Sequence, residues 1–321
     1  MTPRIELESL HRTRAFLVRE ARDAGYGERR LYGRDLAIPF HGVRMPADLP
    51  SDVASLCRAY STKAPPESFF SHTTAAQLWG IPLPPHATSR AIDVSVAWPN
   101  RAPEGRGVRG HTVRFLDGDI REVDGLRVSN PTRTWCELGS YLTTDELIAA
   151  GDFIIRRAHP IASSADLTAA VQGFLGQRGR RKLREALPLL HDRSESPQET
   201  RIRLILVRAN FPGLSVNAPV QGASGQLYRA DFAFLDRGLI LEYQGDHHRE
   251  RQQYRKDLSR VLDLQTAGLH VVLVGPDDIR SEAAFVRTVR DLLRLRTESR
   301  QFDLRGAREG RIGATRRQAP G

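Results

Sequence analysis

The stretch LILEYQGDHHRER, Leu239 to Arg251, decides how the second half of this chain folds. It opens as an apolar run suited to a buried strand, yet it carries Glu242 and ends in Gln244, Gly245, Asp246, His247 and His248. A carboxylate inside an apolar strand needs a partner, because an unpaired buried charge is costly. Just upstream, YRADFAFLDRG sets a second carboxylate, Asp231, in another apolar run, and its Asp-Arg-Gly segment reads as a tight turn joining two strands. With Asp236 and Arg237 as a two-residue loop, Leu235 faces Gly238 and Asp231 falls opposite Glu242. Their Cβ atoms then stand roughly 5 Å apart on one face, where like charges repel. A hard divalent cation relieves that repulsion: Mg2+ takes one or two carboxylates and keeps waters for a phosphate substrate. A three-residue loop would instead send the acids to opposite faces. Alternation places Gln244 on the face of Glu242.

Working outward, SESPQETRIRLILVRA carries a helix start, with Ser196 as cap, Pro197 at the first helical position and Glu199 three residues after the cap. Strand-like runs follow at 214–220, 226–235 and 239–244. Residues 249–267 read as a polar-faced helix closed by Gly268, LHVVLVG as a fully buried strand, and 281–296 as a last helix. The order is α-β-β-β-α-β-α. The Gly- and Arg-rich residues from Gly306 onward are expected to be disordered.

The first half is less regular. Residues 5–25 suggest a helix with a basic face, and RRLYGRDLAIPFHGVRMPAD a strand or hairpin. SHTTAAQLWGIPLPP suggests a short helix capped at Ser71 or Thr73 and stopped by Gly80, with Ala75, Leu78 and Trp79 turned to a core. Alternating runs between 91 and 128 suggest strands, and helical periodicity returns from Asn130. A boundary is expected between Pro188 and Glu195. The expected organisation is α/β and multidomain: a basic region over 1–60, an α/β middle domain over 61–190, an αβββαβ domain over 191–300 and a basic tail over 301–321.

Composition narrows the class. A 40% hydrophobic and 27% charged chain of 321 residues is globular in character. No apolar run is long enough to cross a bilayer and the N-terminus lacks a signal-peptide core, so a cytoplasmic protein is expected. Cys57 and Cys136 match no zinc spacing and are expected as reduced thiols. The net charge of +10, from 48 basic and 38 acidic residues, favours a polyanionic partner, although arginine-rich composition alone would also produce it.

One acid, then Glu-x-Gln on the next strand, in this α-β-β-β-α-β frame, resembles the PD-(D/E)XK nuclease superfamily. Within it, EYQGDHH followed by YRKDLSR resembles the very-short-patch-repair endonuclease-like family of bacterial proteins. The matching positions are Glu199, Asp231, Glu242, Gln244, Gly245, His248, Asp257 and Arg260, within about a third of the chain. The resemblance implies a restriction-endonuclease-like core in which Asp231 and Glu242 hold Mg2+, with Mn2+ able to substitute. It further implies that Gln244 completes the water and metal shell, Glu199 orders metal-bound water, and His248 acts as general base or phosphate contact. Arg249, Arg255, Lys256 and Arg260 would follow a DNA backbone. Gln244 stands where the superfamily has lysine, so the charge on the phosphate must be met by a second metal or nearby arginines. The cysteines that bind zinc in the mismatch-repair endonuclease are missing. The first half, with FHGVRMP and SHTTAAQLWGIPLP, is similar to AbiEi-type antitoxin proteins, which implies a winged helix followed by a mixed α/β domain.

Plainer readings exist for each residue. Glu199 fits a capping box with Ser196, and Asp231 or Glu242 fits an ion pair with Arg229 or Arg260. Asp257 and Arg260 are spaced for an intrahelical pair, and the basic residues of that helix suit a solvated face. The expected function is Mg2+-dependent hydrolysis of DNA phosphodiesters by a metal-activated water. The alternative is a nuclease-fold DNA-binding regulator of antitoxin type without turnover. A toxin, repair or restriction partner fits either reading.

Overall fold

The computed structural model describes residues 13–245 and 251–315. The chain is a mixed α/β protein that divides into two compact units, residues 1–192 and 193–321.

In the first unit the strands are β1 (Phe16–Leu17), β2 (Leu36–Ala37), β3 (Val43–Pro46), β4 (Phe69–Phe70), β5 (Ile92–Ala97), β6 (Val108–Val113), β7 (Ile120–Val123) and β8 (Leu126–Ser129). The helices are α1 (Val18–Asp23), α2 (Glu28–Leu31), α3 (Val53–Ser61), α4 (His72–Leu78), α5 (Pro131–Leu138), α6 (Thr144–Ile155), α7 (Ser164–Gly173) and α8 (Arg180–Ala186). Two sheets have the orders β1-β3-β2 and β6-β5-β4-β8-β7. The helix expected over 5–25 is interrupted by β1, whose Phe16 and Leu17 are both buried; residues 1–12 lie outside the described residues. The sequence separates 1–60 from 61–190, but Leu17, Phe40, Val43, Met45 and Cys57 share one apolar core with Phe70, Ile92, Val94 and Val128. Both cysteines are buried and unbridged.

Against this core lies a buried polar network that the segment SHTTAAQLWG does not announce. Ala75 is buried as expected, but so are Ser71, His72, Thr73 and Thr74. The Ser71 hydroxyl does not cap α4; it lies 2.9 Å from His72 Nδ1 and accepts from Ser95 Oγ at 2.7 Å. His72 takes a positive φ of 50° and stacks on His111 with ring centroids 4.0 Å apart. His111 Nε2 lies 2.9 Å from Asp93 Oδ1, and the Thr73 hydroxyl donates to Asp93 Oδ2. Burial alone would raise the Asp93 pKa, but the bonds from His111 and Thr73 hold it below the ordinary carboxylate value. Burial also lowers the pKa of His72.

The second unit runs α9 (Pro197–Arg208), β9 (Leu214–Gln221), β10 (Leu227–Phe234), β11 (Leu239–Tyr243), α10 (Arg251–Thr266), β12 (His270–Val274) and α11 (Glu282–Thr315). The sheet order is β12-β11-β10-β9, antiparallel except for the β11–β12 pair, which α10 connects in parallel. One face packs Phe232, Phe234, Leu239 and Leu241 against Ile202, Ile205 and Leu206 of α9 and Phe285 and Val289 of α11. The other packs Ala218, Val220, Ala230, Ala233, Ile240 and Val271 against Leu264 of α10. Leu214 and Val216 of β9 and Phe232 and Phe234 of β10 belong to the first cluster, whereas Ala218, Val220 and Ala230 belong to the second. The side-chain parity therefore changes at Asn217 and Asp231, and Asn217 has a positive φ of 47°. Irregularities of this kind re-aim side chains within a ladder.

Helix α10 is tied to the β9–β10 turn by Asp263, which accepts from Ser224 N at 2.8 Å and from Ser224 Oγ at 2.7 Å. A Cβ on Gly222 would lie 1.9 Å from Asp263 Oδ2, so only glycine permits this approach. Two expectations differ. β12 is an edge strand with Leu273 45% exposed, rather than a fully buried one. Helix α11 continues through residues 306–315, where the sequence suggests a disordered tail; Arg, Glu, Ala and Leu in the preceding turns favour helix. Among the described residues no helix is long and apolar enough to cross a membrane.

Candidate active site

The turn after β10 fixes the register. Phe234 pairs with Leu239, Ala233 with Ile240 and Phe232 with Leu241, so the next step sets Asp231 opposite Glu242. Beyond Phe232 and Leu241 the ladder opens, and the Tyr243 N–H donates to Asp231 Oδ2 at 2.9 Å. Leu241 and Tyr243 pack on the α9 and α11 side, so Glu242 and, by alternation, Gln244 face α10. Gln244 N donates to Val274 O at 2.8 Å, extending the parallel pairing past β11.

Arg260 on α10 meets Glu242. Its Nη2 lies 2.8 Å from Glu242 Oε1 and also donates to the Arg229 carbonyl. The guanidinium stands 5.8 Å from the centroid of the Tyr228 ring. Arg229 pairs with Glu195 instead, with Nη1 2.6 Å from Oε1. Of the roles expected for Arg260, a pair with Asp231, Glu242 or Asp257 or a DNA contact, the structure shows the pair with Glu242.

Glu199 enters from the first turn of α9. Ser196 Oγ accepts from Glu199 N at 3.1 Å and donates to Glu199 Oε1 at 3.0 Å. Glu199 Oε2 accepts from Glu195 N at 3.0 Å and from Asn217 Nδ2 at 3.3 Å. The cap and the approach to the acidic site are therefore compatible: one carboxylate does both.

The three acids feel one another. Burial raises the pKa of Asp231, although the Tyr243 N–H and the Arg260 and Arg229 charges pull it down. Burial also raises Glu199, with Asp231 adding to the rise. Glu242 is pushed up to about 7, by burial first and by Asp231 next; its contact with Arg260 lowers it but does not win. Arg260 and Arg229, the latter paired to Glu195, thus do not offset the burial of these carboxyl groups, and the local balance is short of positive charge. Perturbed acids clustered in this way are a mark of functional sites as well as of structural networks.

The structure brings together Glu199, Asp231, Glu242 and Arg260, with Gln244 two residues along the same strand. His248 and Arg249 lie outside the described residues. Arg255 is on α10, and Lys256 on the same helix is exposed. Sequence reasoning missed Asn217 and Glu195 as neighbours of these acids, whereas Arg229, expected as an ion-pair partner of Asp231 or Glu242, binds Glu195. Asn217 had one signal, a polar residue in the middle of the run LSVNAPV.

No family model matches the chain. It is similar to an uncharacterized protein of Mycobacterium tuberculosis strain CDC 1551 / Oshkosh and to one of strain H37Rv. Each is 29% identical over 210 residues, covering 65% of this chain and 74% of the relative.

Proposed function

We propose that residues 193–298 form a restriction-endonuclease-like core that hydrolyses DNA phosphodiesters with Mg2+. The observation that carries this reading is the convergence of Asp231 and Glu242, one step past the last pair of the β10–β11 ladder, with Glu199 close enough to act on both charges. The αβββαβ order and the net charge of +10 support it.

The side chains present fit a hard divalent cation. Among the described residues no group of three or more His, Cys, Asp or Glu side chains forms a ready metal cage. Mg2+ does not need one, since it is held by one or two carboxylates and retains water for phosphate. Each acid accepts a backbone N–H, Asp231 from Tyr243 and Glu242 from Asp231. A carboxylate has about four lone-pair sites, so coordination capacity remains on both. The cation, when bound, supplies a water of lowered pKa and neutralises charge on the phosphate. Asp231 and Glu242 would hold it, Glu199 would accept hydrogen bonds from its waters, and Gln244 would orient a water. Arg260, once released from Glu242, would offer positive charge to a phosphate and so stand in for the charge that Gln244 lacks. His248 belongs to the same proposal as base or phosphate contact.

The Arg260–Glu242 ion pair favours a second reading, a nuclease-fold DNA-binding regulator of antitoxin type, in which arginine keeps the cation's place. Supercoiled plasmid incubated with Mg2+ separates the two. The nuclease reading expects nicking or linearisation by the wild type and none by Asp231→Ala or Glu242→Ala. Equal outcomes for all three proteins, together with salt-sensitive DNA binding, would leave the regulator.

A further inference from the structure

Asn217 lies in β9 between the pairs Ala230–Ala218 and Phe232–Val216, so it stands across the ladder from Asp231. It is 7% exposed and adopts a left-handed backbone conformation with φ 47°. Its Nδ2 donates to the Arg193 carbonyl and to Glu199 Oε2, the latter at 3.3 Å. Both partners there are acceptors, so the orientation of the amide is fixed and the opposite end must be the oxygen. That oxygen, Oδ1, is buried and has no hydrogen-bond partner among the described residues. Buried carbonyl oxygens without a donor are rare and call for an explanation such as an ion or a water. Here the orphan oxygen belongs to a side chain bonded to Glu199 and placed opposite Asp231, in a site already rich in acceptors and poor in donors. Amide carbonyls join carboxylates readily around hard cations.

We propose that Asn217 Oδ1 is a third oxygen donor for the divalent cation held by Asp231 and Glu242. The assignment rests on the metal-dependent reading of that site. Glu199 then also positions a ligand, because it accepts from the Asn217 amide nitrogen and so holds the oxygen in its orientation.

Calorimetric titration of Mn2+ alone into the full-length protein, without DNA, tests it. Wild type is expected to bind and Asp231→Asn to lose that binding. Asn217→Ala is expected to bind about tenfold more weakly. Asn217→Asp puts an acceptor against the Arg193 carbonyl and Glu199, so its metal-free form melts earlier, yet it binds Mn2+ more tightly than wild type. A purely structural role would lower stability in both variants and leave affinity unchanged. If Asp231→Asn abolishes binding while Asn217→Ala and Asn217→Asp match wild type, Asn217 is no ligand and the metal reading stands. If wild type and Asp231→Asn give the same titration, the metal reading fails and takes this assignment with it. Should Asn217→Ala not fold, Asn217→Asp decides: tighter binding supports the proposal, and equal or weaker binding overturns it.

Discussion

In the absence of divalent metal, raising the pH should loosen the second unit, and Glu242 should be responsible. Its folded pKa is about 7 against an ordinary 4.5, so the folded protein binds a proton that the unfolded chain has released. The contribution is complete below pH 4.5 and is lost as pH rises through 7. At about 1.4 kcal/mol per pH unit, the interval corresponds to about 3 kcal/mol. The Glu242 side chain is only 12% exposed, so solvent screening reduces this little. Trp79, Trp98 and Trp135 all lie in the first unit, so tryptophan fluorescence would follow the wrong half of the molecule. Amide hydrogen exchange at Leu239–Tyr243, corrected for intrinsic rates and recorded in EDTA from pH 4.5 to 7.5, reads the right one. Wild type should lose about 3 kcal/mol of protection free energy relative to Glu242→Gln across that range. Mn2+ should restore the loss at pH 7.5, because the cation takes the place of the proton. Parallel pH profiles for the two proteins would refute the argument.

Other consequences follow from the same contacts. Arg260→Gln removes the partner of Glu242 and should raise that pKa further, weakening protection at Leu239–Tyr243 by about 1–2 kcal/mol; unchanged exchange would mean the ion pair contributes nothing. Ser196→Ala should cost about 1 kcal/mol through the lost cap yet keep plasmid cleavage, whereas Glu199→Gln should keep most stability and lose cleavage. The reverse pattern would return Glu199 to capping alone. In the first unit, Asp93→Ala strips His111, Thr73 and Arg109 of their buried carboxylate and should cost about 3 kcal/mol in urea unfolding followed by tryptophan fluorescence. A loss well below 1 kcal/mol would contradict the role given to that network.

The register of β10 and β11 was legible as one of two alternatives, set by the loop length at Asp236 and Arg237, and the structure adopts the one that the two-residue loop implies. The order of elements in the second unit was legible for a similar local reason, the Ser196 cap, the turns and the Gly268 stop. Asn217 was not, since its left-handed backbone and the parity change in β9 arise from neighbours on other elements. Arg260 was legible only as one candidate pair among several, with Asp231, Glu242 or Asp257, because the sequence does not say which acid it meets across the 18 residues to Glu242 on β11. The network around His72 escaped for the same reason: its partners Asp93 and Glu137 stand 20 and 65 residues from Thr73 and His72. An apolar run such as HVVLV reads as central whether the sheet continues past it or stops, and here it stops.

The most direct test of a cation between Asp231 and Glu242 is a crystal structure of the full-length protein grown with Mn2+, with anomalous scattering used to locate the metal. The account predicts a peak within about 2.2 Å of oxygens from both acids, with Arg260 displaced from Glu242. A map with no metal at these side chains and Arg260 still paired to Glu242 would contradict it.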